Sequence, residues 1–307
     1  MAANLETQLF KANLEKQLYP DNAFYKNSMN DTEGSQNDRA LQINIPIATT
    51  IGSATVNPTL PLTTSQITDT ATYYETKLIS TPSIAISTDE ESLVKYDKTG
   101  EIRMQMADTL NTQIADQLAY HWALEGSTTN PQTIVKTTGD ARPVESSVTG
   151  ATGNRLALTL KDIIEADKVL NSQNLGTSGD RIAVISPEMK ADLLKIESVL
   201  NMNFNREQGI LNTGAFMELF GFKFYVRTNV NRFDSSDDLK AIGSAGAADD
   251  NFGALFYQSN YVRRYEGGLR MFANPDSTYQ GSVLSANVRM GGIAPRNIGV
   301  VSVVADS

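Results

Sequence analysis

Cysteine is absent from this 307-residue chain, and histidine occurs once, at His121. The first absence excludes thiolate nucleophiles, disulfides and cysteine-ligated metals, and it agrees with a reducing compartment. The second excludes histidine-cluster metal sites within one chain. No apolar run approaches the roughly 18 residues needed to cross a bilayer. Met1-Ala2-Ala3-Asn4-Leu5-Glu6 has neither the basic start nor the apolar middle of a secretory signal. The expectation is a soluble cytoplasmic protein with no membrane contact. A strongly basic segment is also missing: residues 1–40 set Lys11, Lys16, Lys26 and Arg39 against six acids, and the net charge is −9. Tight sequence-independent binding to nucleic acid needs cations to neutralise phosphates, so that function class is disfavoured.

Apolar residues make up 40% of the chain, enough for a sizeable core, and the length suits about two domains. The most informative stretch runs from Leu255 to Val304, β-type sequence with five arginines and no lysine. Gly267-Gly268, between Tyr261–Tyr265 and Leu269–Phe272, suits a two-residue hairpin turn. Leu284, Ala286, Val288 and Met290 alternate with polar residues, the period of a strand with one buried face. The closing run Val300–Val304 is expected to be tied into a sheet or a neighbouring subunit, since loose termini are seldom so apolar.

Upstream, Leu5, Leu9, Leu14 and Leu18 stripe a short helix stopped by Pro20, and residues 21–40 read as a loose polar stretch, together an arm. Leu41, Ile43, Ile45 and Ile47 alternate as a strand, and a second β-prone run passes through Tyr73, Tyr74, Leu78, Ile79, Ile84 and Ile86. With the proline-bearing tip between them these make an extended β-hairpin that needs a partner surface. Ile102, Met106, Leu110, Ile114, Leu118 and Trp122 mark a long helix, with Gly126 ending it. Residues 126–156 read as an irregular connection or a weak β excursion. Next comes a compact α/β section: Thr159 and Asp162 cap a helix, Arg181–Ile185 is a buried strand, Ser186-Pro187 starts another helix, and Met217–Val226 is again β. The tract from Phe233 to Asn251 reads as a surface loop.

This order of elements, with Arg181–Glu188 before a leucine-rich helix, Phe220–Val226, and the ending Ser285–Gly292 with Pro295-Arg296, resembles the major capsid protein of tailed bacteriophages, the Hong Kong 97 type fold. The resemblance implies an α+β fold with five segments. These are an N-terminal arm at 1–40, an extended loop at 41–95, a peripheral domain with spine helix at 96–154, an axial domain at 155–254, and peripheral C-terminal strands at 255–307. It further implies self-assembly through hexamers and pentamers into an icosahedral head enclosing double-stranded DNA without sequence-specific binding. Separate scaffolding, portal and decoration proteins would be partners, and the virion, assembled in the host cytoplasm, the location. Some relatives crosslink a lysine to an asparagine; Lys77 lies in the hairpin, but no motif identifies a pair and that chemistry is not carried over. An encapsulin-type compartment of the same fold is the alternative.

No enzymatic, cofactor or metal site is expected. Ser92-Leu93-Val94-Lys95 with Lys98-Thr99-Gly100 imitates penicillin-binding motifs, but two residues separate them where that family places them far apart. His121 has no serine or carboxylate at relay spacing. Asp234, Asp237, Asp238, Asp249 and Asp250 do not follow a calcium-loop pattern, and a solvated loop is the reading. Lys77, Arg263, Arg264, Arg270, Arg289 and Arg296 are the candidates for contacts between subunits, because arginine is enriched at interfaces. Ion pairing within the subunit is the competing reading for the arginines.

Overall fold

A computed structural model of the chain describes residues 22–32, 41–47, 54, 56–60, 69–89, 97–124, 133–145, 148–175, 179–196 and 218–306. The apolar stripe expected at residues 5–18, the 92–95 motif and Gly126 lie outside them. Along the chain, a 3-10 turn at Ala23–Asn27 leads to β1 (Met29–Asn30), β2 (Gln42–Ile47), β3 (Thr70–Glu75), β4 (Lys77–Ser80) and β5 (Ile84–Ser87). Helix α1 (Lys98–Trp122) is followed by β6 (Ile134–Lys136), β7 (Ala141–Pro143), β8 (Asn154–Leu156) and helix α2 (Leu160–Ser172). Then come β9 (Arg181–Ile185), helix α3 (Pro187–Leu194), β10 (Glu218–Leu219), β11 (Phe222–Val226) and β12 (Asn231–Phe233). The chain closes with β13 (Asn251–Gln258), β14 (Arg263–Glu266), β15 (Arg270–Asp276), β16 (Gly281–Ile293) and β17 (Val300–Ala305).

Two sheets organise the molecule. The larger has the order β10-β11-β9-β13-β17-β6, with β12 on β13. Its central strands are buried on both faces, which explains their unbroken apolar sequence. Ala183, Ile185, Phe256, Val301 and Val303 pack with Ile163, Ala166 and Leu170 of α2 and Met189 and Leu193 of α3. Ile182, Val184, Leu255 and Tyr257 join the core that includes α1. The helix starts are those the local sequence dictates: the Thr159 N–H donates to Asp162 Oδ2 at 2.8 Å, and Ser186 Oγ accepts from the Met189 N–H at 3.1 Å. Phe220 and Gly221 both take positive φ, 50° and 77°, the conformation that joins β10 to β11 in a two-residue hairpin.

The smaller sheet is built on β16, which buries Leu284, Ala286, Val288 and Met290 against Met106, Leu110, Ile114 and Leu118 of α1. The pairing corrects the expected hairpin at Gly267-Gly268. β14 and β15 do not pair with each other; both run antiparallel to β16 along one edge, Glu266 opposite Met290 and Arg270 opposite Asn287. Three residues on that edge therefore face two on β16, which is a β-bulge. The same slip occurs on the opposite edge, where Ser80 faces Asn287 and Ile84 faces Leu284, so β4 and β5 form one strand bulged at 81–83. The second arm of the expected hairpin thus divides: β3 pairs with β2, while β4 and β5 complete the β16 sheet.

Two further expectations change. The helix ends at Trp122 as its stripe does, with Ala123 already extended, but begins a turn earlier than Ile102, at Lys98. Residues 22–32 are no loose stretch: Phe24 and Tyr25 are buried in the α1 core, and Tyr257 donates its hydroxyl to the Phe24 carbonyl at 2.8 Å. Strand β13 runs through residue 254, and the closing strand β17 lies between β13 and β6 in the larger sheet, apart from β14–β16.

Candidate intersubunit surfaces

The six candidate cations divide by their surroundings. Arg263 Nη1 donates to Asp31 Oδ1 at 2.8 Å, and Arg264 Nη1 to Glu266 Oε2 at 2.7 Å with its guanidinium over the Tyr25 ring. Arg289 Nη1 donates to the carbonyl and the hydroxyl of Thr76, at 3.1 and 3.2 Å. These three arginines brace the segment at 22–32 and the base of the hairpin inside one chain. Arg270 is half-buried at the start of β15, and Lys77 is exposed at the start of β4, one register position from Arg289. Arg296 and Arg263 come together in a cleft of about 200 Å³ under β2, lined also by Ile45, Pro46, Ile47 and Ile298.

The hairpin is poorly covered. Of β2 and β3 only Ile45 and Tyr74 are buried, and they pack on Tyr265. Leu41, Tyr73 and Leu78 are exposed by 69%, 57% and 55%, and at the tip Val56 and Leu60 by 88% and 77%. The hairpin base is nevertheless fastened, because Tyr74 donates its hydroxyl to Asp31 Oδ2 at 2.9 Å, the carboxylate that also receives Arg263. Burial, then the charge of Asp31, pushes the Tyr74 phenol well above its ordinary pKa, so the hydroxyl remains a donor at any ordinary pH.

A second apolar surface lies on β15. Met271 and Phe272 are exposed by 44% and 46%, and with Ala273, Arg103, Met106 and Leu284 they line a cleft of about 250 Å³. Among the described residues the outer edge of β15 has no paired strand, so its backbone groups face outward.

Chemistry-bearing groups elsewhere serve packing. His121 stands edge-on to Tyr120, and burial, then the nearby Lys77 charge, lowers its pKa. Lys98-Thr99-Gly100 is the first turn of α1, where Asp97 Oδ1 accepts from the Gly100 N–H. Asp250 departs from the solvated-loop reading: it is fully buried, and Arg232 and Lys240 each donate to it at 2.7 Å. Asp234 instead organises its own turn by accepting from the Ser236 and Asp238 N–H groups. Among the described residues no group of three or more histidines, aspartates and glutamates could hold a metal ion. The contacts of Phe24, Tyr25 and Asp31 were missed in the sequence, where the only signal was a pair of aromatics in an otherwise polar tract.

A family model described as phage capsid protein matches residues 50–264. Among solved structures, the capsid of cyanophage P-SCSP1u is 18% identical, covers 99% of this chain and 94% of its own, and superposes with a TM-score of 0.69. The capsid asymmetric unit of cyanophage Pam1 is 10% identical, with coverages of 100% and 98% and a TM-score of 0.67. The mature capsid of bacteriophage PhiM1 is 15% identical, with coverages of 97% and 91% and a TM-score of 0.66. At these identities the likeness is one of fold. No curated protein matches the chain by sequence.

Proposed function

Since this chain belongs to the phage capsid protein family, whose model spans residues 50–264, we propose that it is the major capsid protein of a tailed bacteriophage. Its copies close into an icosahedral head around double-stranded DNA. The observation that carries this reading is the hairpin of β2 and β3: Leu41, Tyr73, Val56 and Leu60 are exposed, and within the two strands only Ile45 and Tyr74 are buried. A two-stranded ribbon is marginal on its own, and a neighbouring copy is the surface that orders it. Many modest contacts then add, because each subunit is held by several neighbours at once.

The larger sheet with α2 and α3 serves as the axial body at the centre of hexamers and pentamers. α1 with the β16 sheet serves as the peripheral body. On this reading β13 and β17 belong to the axial body, which moves the boundaries expected at 155–254 and 255–307. Lys77, Arg270 and Arg296 act in contacts between copies, while Arg263, Arg264 and Arg289 set the hairpin base from within. The DNA is enclosed without sequence readout, consistent with a net charge of −9. Scaffolding, portal and decoration proteins are separate partners, and the virion is the site of action. The encapsulin-type alternative is not favoured, since the matched family is that of phage capsids.

Replacing residues 48–69 with a short turn tests the reading. The variant is expected to keep its helical circular dichroism and cooperative unfolding, because the two large cores among the described residues are built from other segments, but to lose assembly as followed by sedimentation. Shells forming at the wild-type yield would contradict the role given to the hairpin.

A further inference from the structure

Beyond the surfaces above, one buried polar cluster has a specific chemical property. Glu145, just past β7, is 2% exposed. Its Oε1 accepts from Arg142 Nη2 at 2.9 Å and from Ser186 Oγ at 2.7 Å, and that serine is the N-cap of α3. Its Oε2 is buried with no hydrogen-bond partner, and so is Oε2 of Glu188 in the first turn of α3. An ionised carboxylate can only accept, so two such oxygens leave two acceptors with no donor in a place where an unmade hydrogen bond is costly.

The charges around them do not balance either. From β7 comes Arg142, whose Nε donates to Asp192 Oδ2 at 2.5 Å and whose guanidinium lies over the Phe252 ring of β13. From α3 and its end come Glu188, Asp192 and Lys195, the last 3.4 Å from Asp192 and 73% exposed. Three carboxylates thus meet two cations, one of them largely in solvent. A single added proton on Glu145 cancels the excess and makes its carboxyl a donor as well as an acceptor.

We propose that this cluster keeps Glu145 protonated up to about neutral pH, and that its neutral carboxyl latches the chain just past β7 onto the first turn of α3. Loss of the proton as pH rises loosens the latch. Burial, the largest cause, raises Glu145 from 4.5 to about 7, and the charge of Glu188 acts in the same direction against Ser186 and Arg142. A carboxyl whose pKa is higher folded than unfolded contributes stability that is complete below the unfolded value and disappears as pH climbs through the folded one. His121, the only histidine, has the opposite sign: its lowered pKa makes folding more favourable as pH rises. Among the described groups, a fall in stability from about pH 4.5 to about pH 7 that depends on residue 145 therefore reports on Glu145.

Urea unfolding of the full-length protein across that range, with Glu145→Gln and Glu188→Gln beside it, is the test. The wild type is expected to lose stability from about pH 4.5 upward, the loss levelling off near pH 7. Glu145→Gln, whose amide donates without titrating, is expected to lack this fall, and Glu188→Gln, which removes a charge that raises Glu145, to level off at lower pH. An unchanged fall in Glu145→Gln overturns the proposal. Should that variant not fold, carboxyl-labelled NMR of the wild type decides: a glutamate titrating near pH 7 supports the latch, and none titrating above about pH 5 removes it.

Discussion

Replacing Trp122 with alanine is expected to lower the unfolding free energy by about 3–5 kcal/mol, as large aromatic truncations in closed cores do. Trp122 is fully buried at the last turn of α1, where four parts of the chain meet. Its ring stands edge-on to Phe24 at 6.3 Å and tilted against Tyr257 of β13 at 5.2 Å. Its Nε1 donates to the Arg263 carbonyl of β14 at 3.0 Å. Gly292 of β16 has no side chain because a Cβ there would come within 3.0 Å of that nitrogen and 2.5 Å of Leu118 Cδ2. The loss is a large share of the stability of a typical domain, roughly 5–15 kcal/mol. Denaturant titration of Trp122→Ala and Trp122→Phe checks it, the phenylalanine variant recovering the ring contacts but not the bond to Arg263.

Asp116→Ala is expected to cost a similar ~3–5 kcal/mol, the penalty for removing one member of a buried ion pair. Arg227, just after β11, is 1% exposed, and its Nη2 donates to Asp116 Oδ1 at 2.8 Å and to Asn22 Oδ1 at 3.0 Å. Its guanidinium also covers the Phe24 ring at 5.1 Å. Asn229 donates to the other Asp116 oxygen at 3.2 Å. Burial raises the pKa of Asp116 despite Arg227, so the carboxylate is held at an energetic cost that only the pairing offsets. Deleting it keeps the guanidinium charge buried and loosens α1 from the larger sheet and from residues 22–27. The double variant Asp116→Ala with Arg227→Met, which removes both charges, should recover part of the loss in the same titration. Equal stability of Asp116→Ala and wild type would show that the pair contributes nothing.

What the sequence made legible was local. The stripe Met106, Leu110, Ile114, Leu118, Trp122 placed α1 because a helix face repeats every three to four residues. The alternation from Leu284 to Met290 placed β16, and Ser186-Pro187 placed the start of α3 to the residue. What failed was what only distant partners decide. Gly267-Gly268 reads as a turn because a bulge and a turn ask for the same residues, and the strand that resolves them, β16, comes later in the chain. Phe24 and Tyr25 sit in a polar tract and are buried by contacts with Trp122 and Tyr257. Asp250 resembles its exposed neighbours until β12 and the following loop bring Arg232 and Lys240 to it. The candidate arginines were legible as a group, but Arg263, Arg264 and Arg289 find acceptors on Asp31, Glu266 and Thr76, pairings that no spacing announces.

The most direct test of the central claim is negative-stain electron microscopy of the purified full-length chain, with sedimentation velocity on the same sample over a range of salt and concentration. A capsid subunit whose hairpin is completed by its neighbours predicts closed shells of many copies in at least one condition. Monomers or dimers in every condition, with the hairpin protected from proteolysis in the isolated chain, would contradict it.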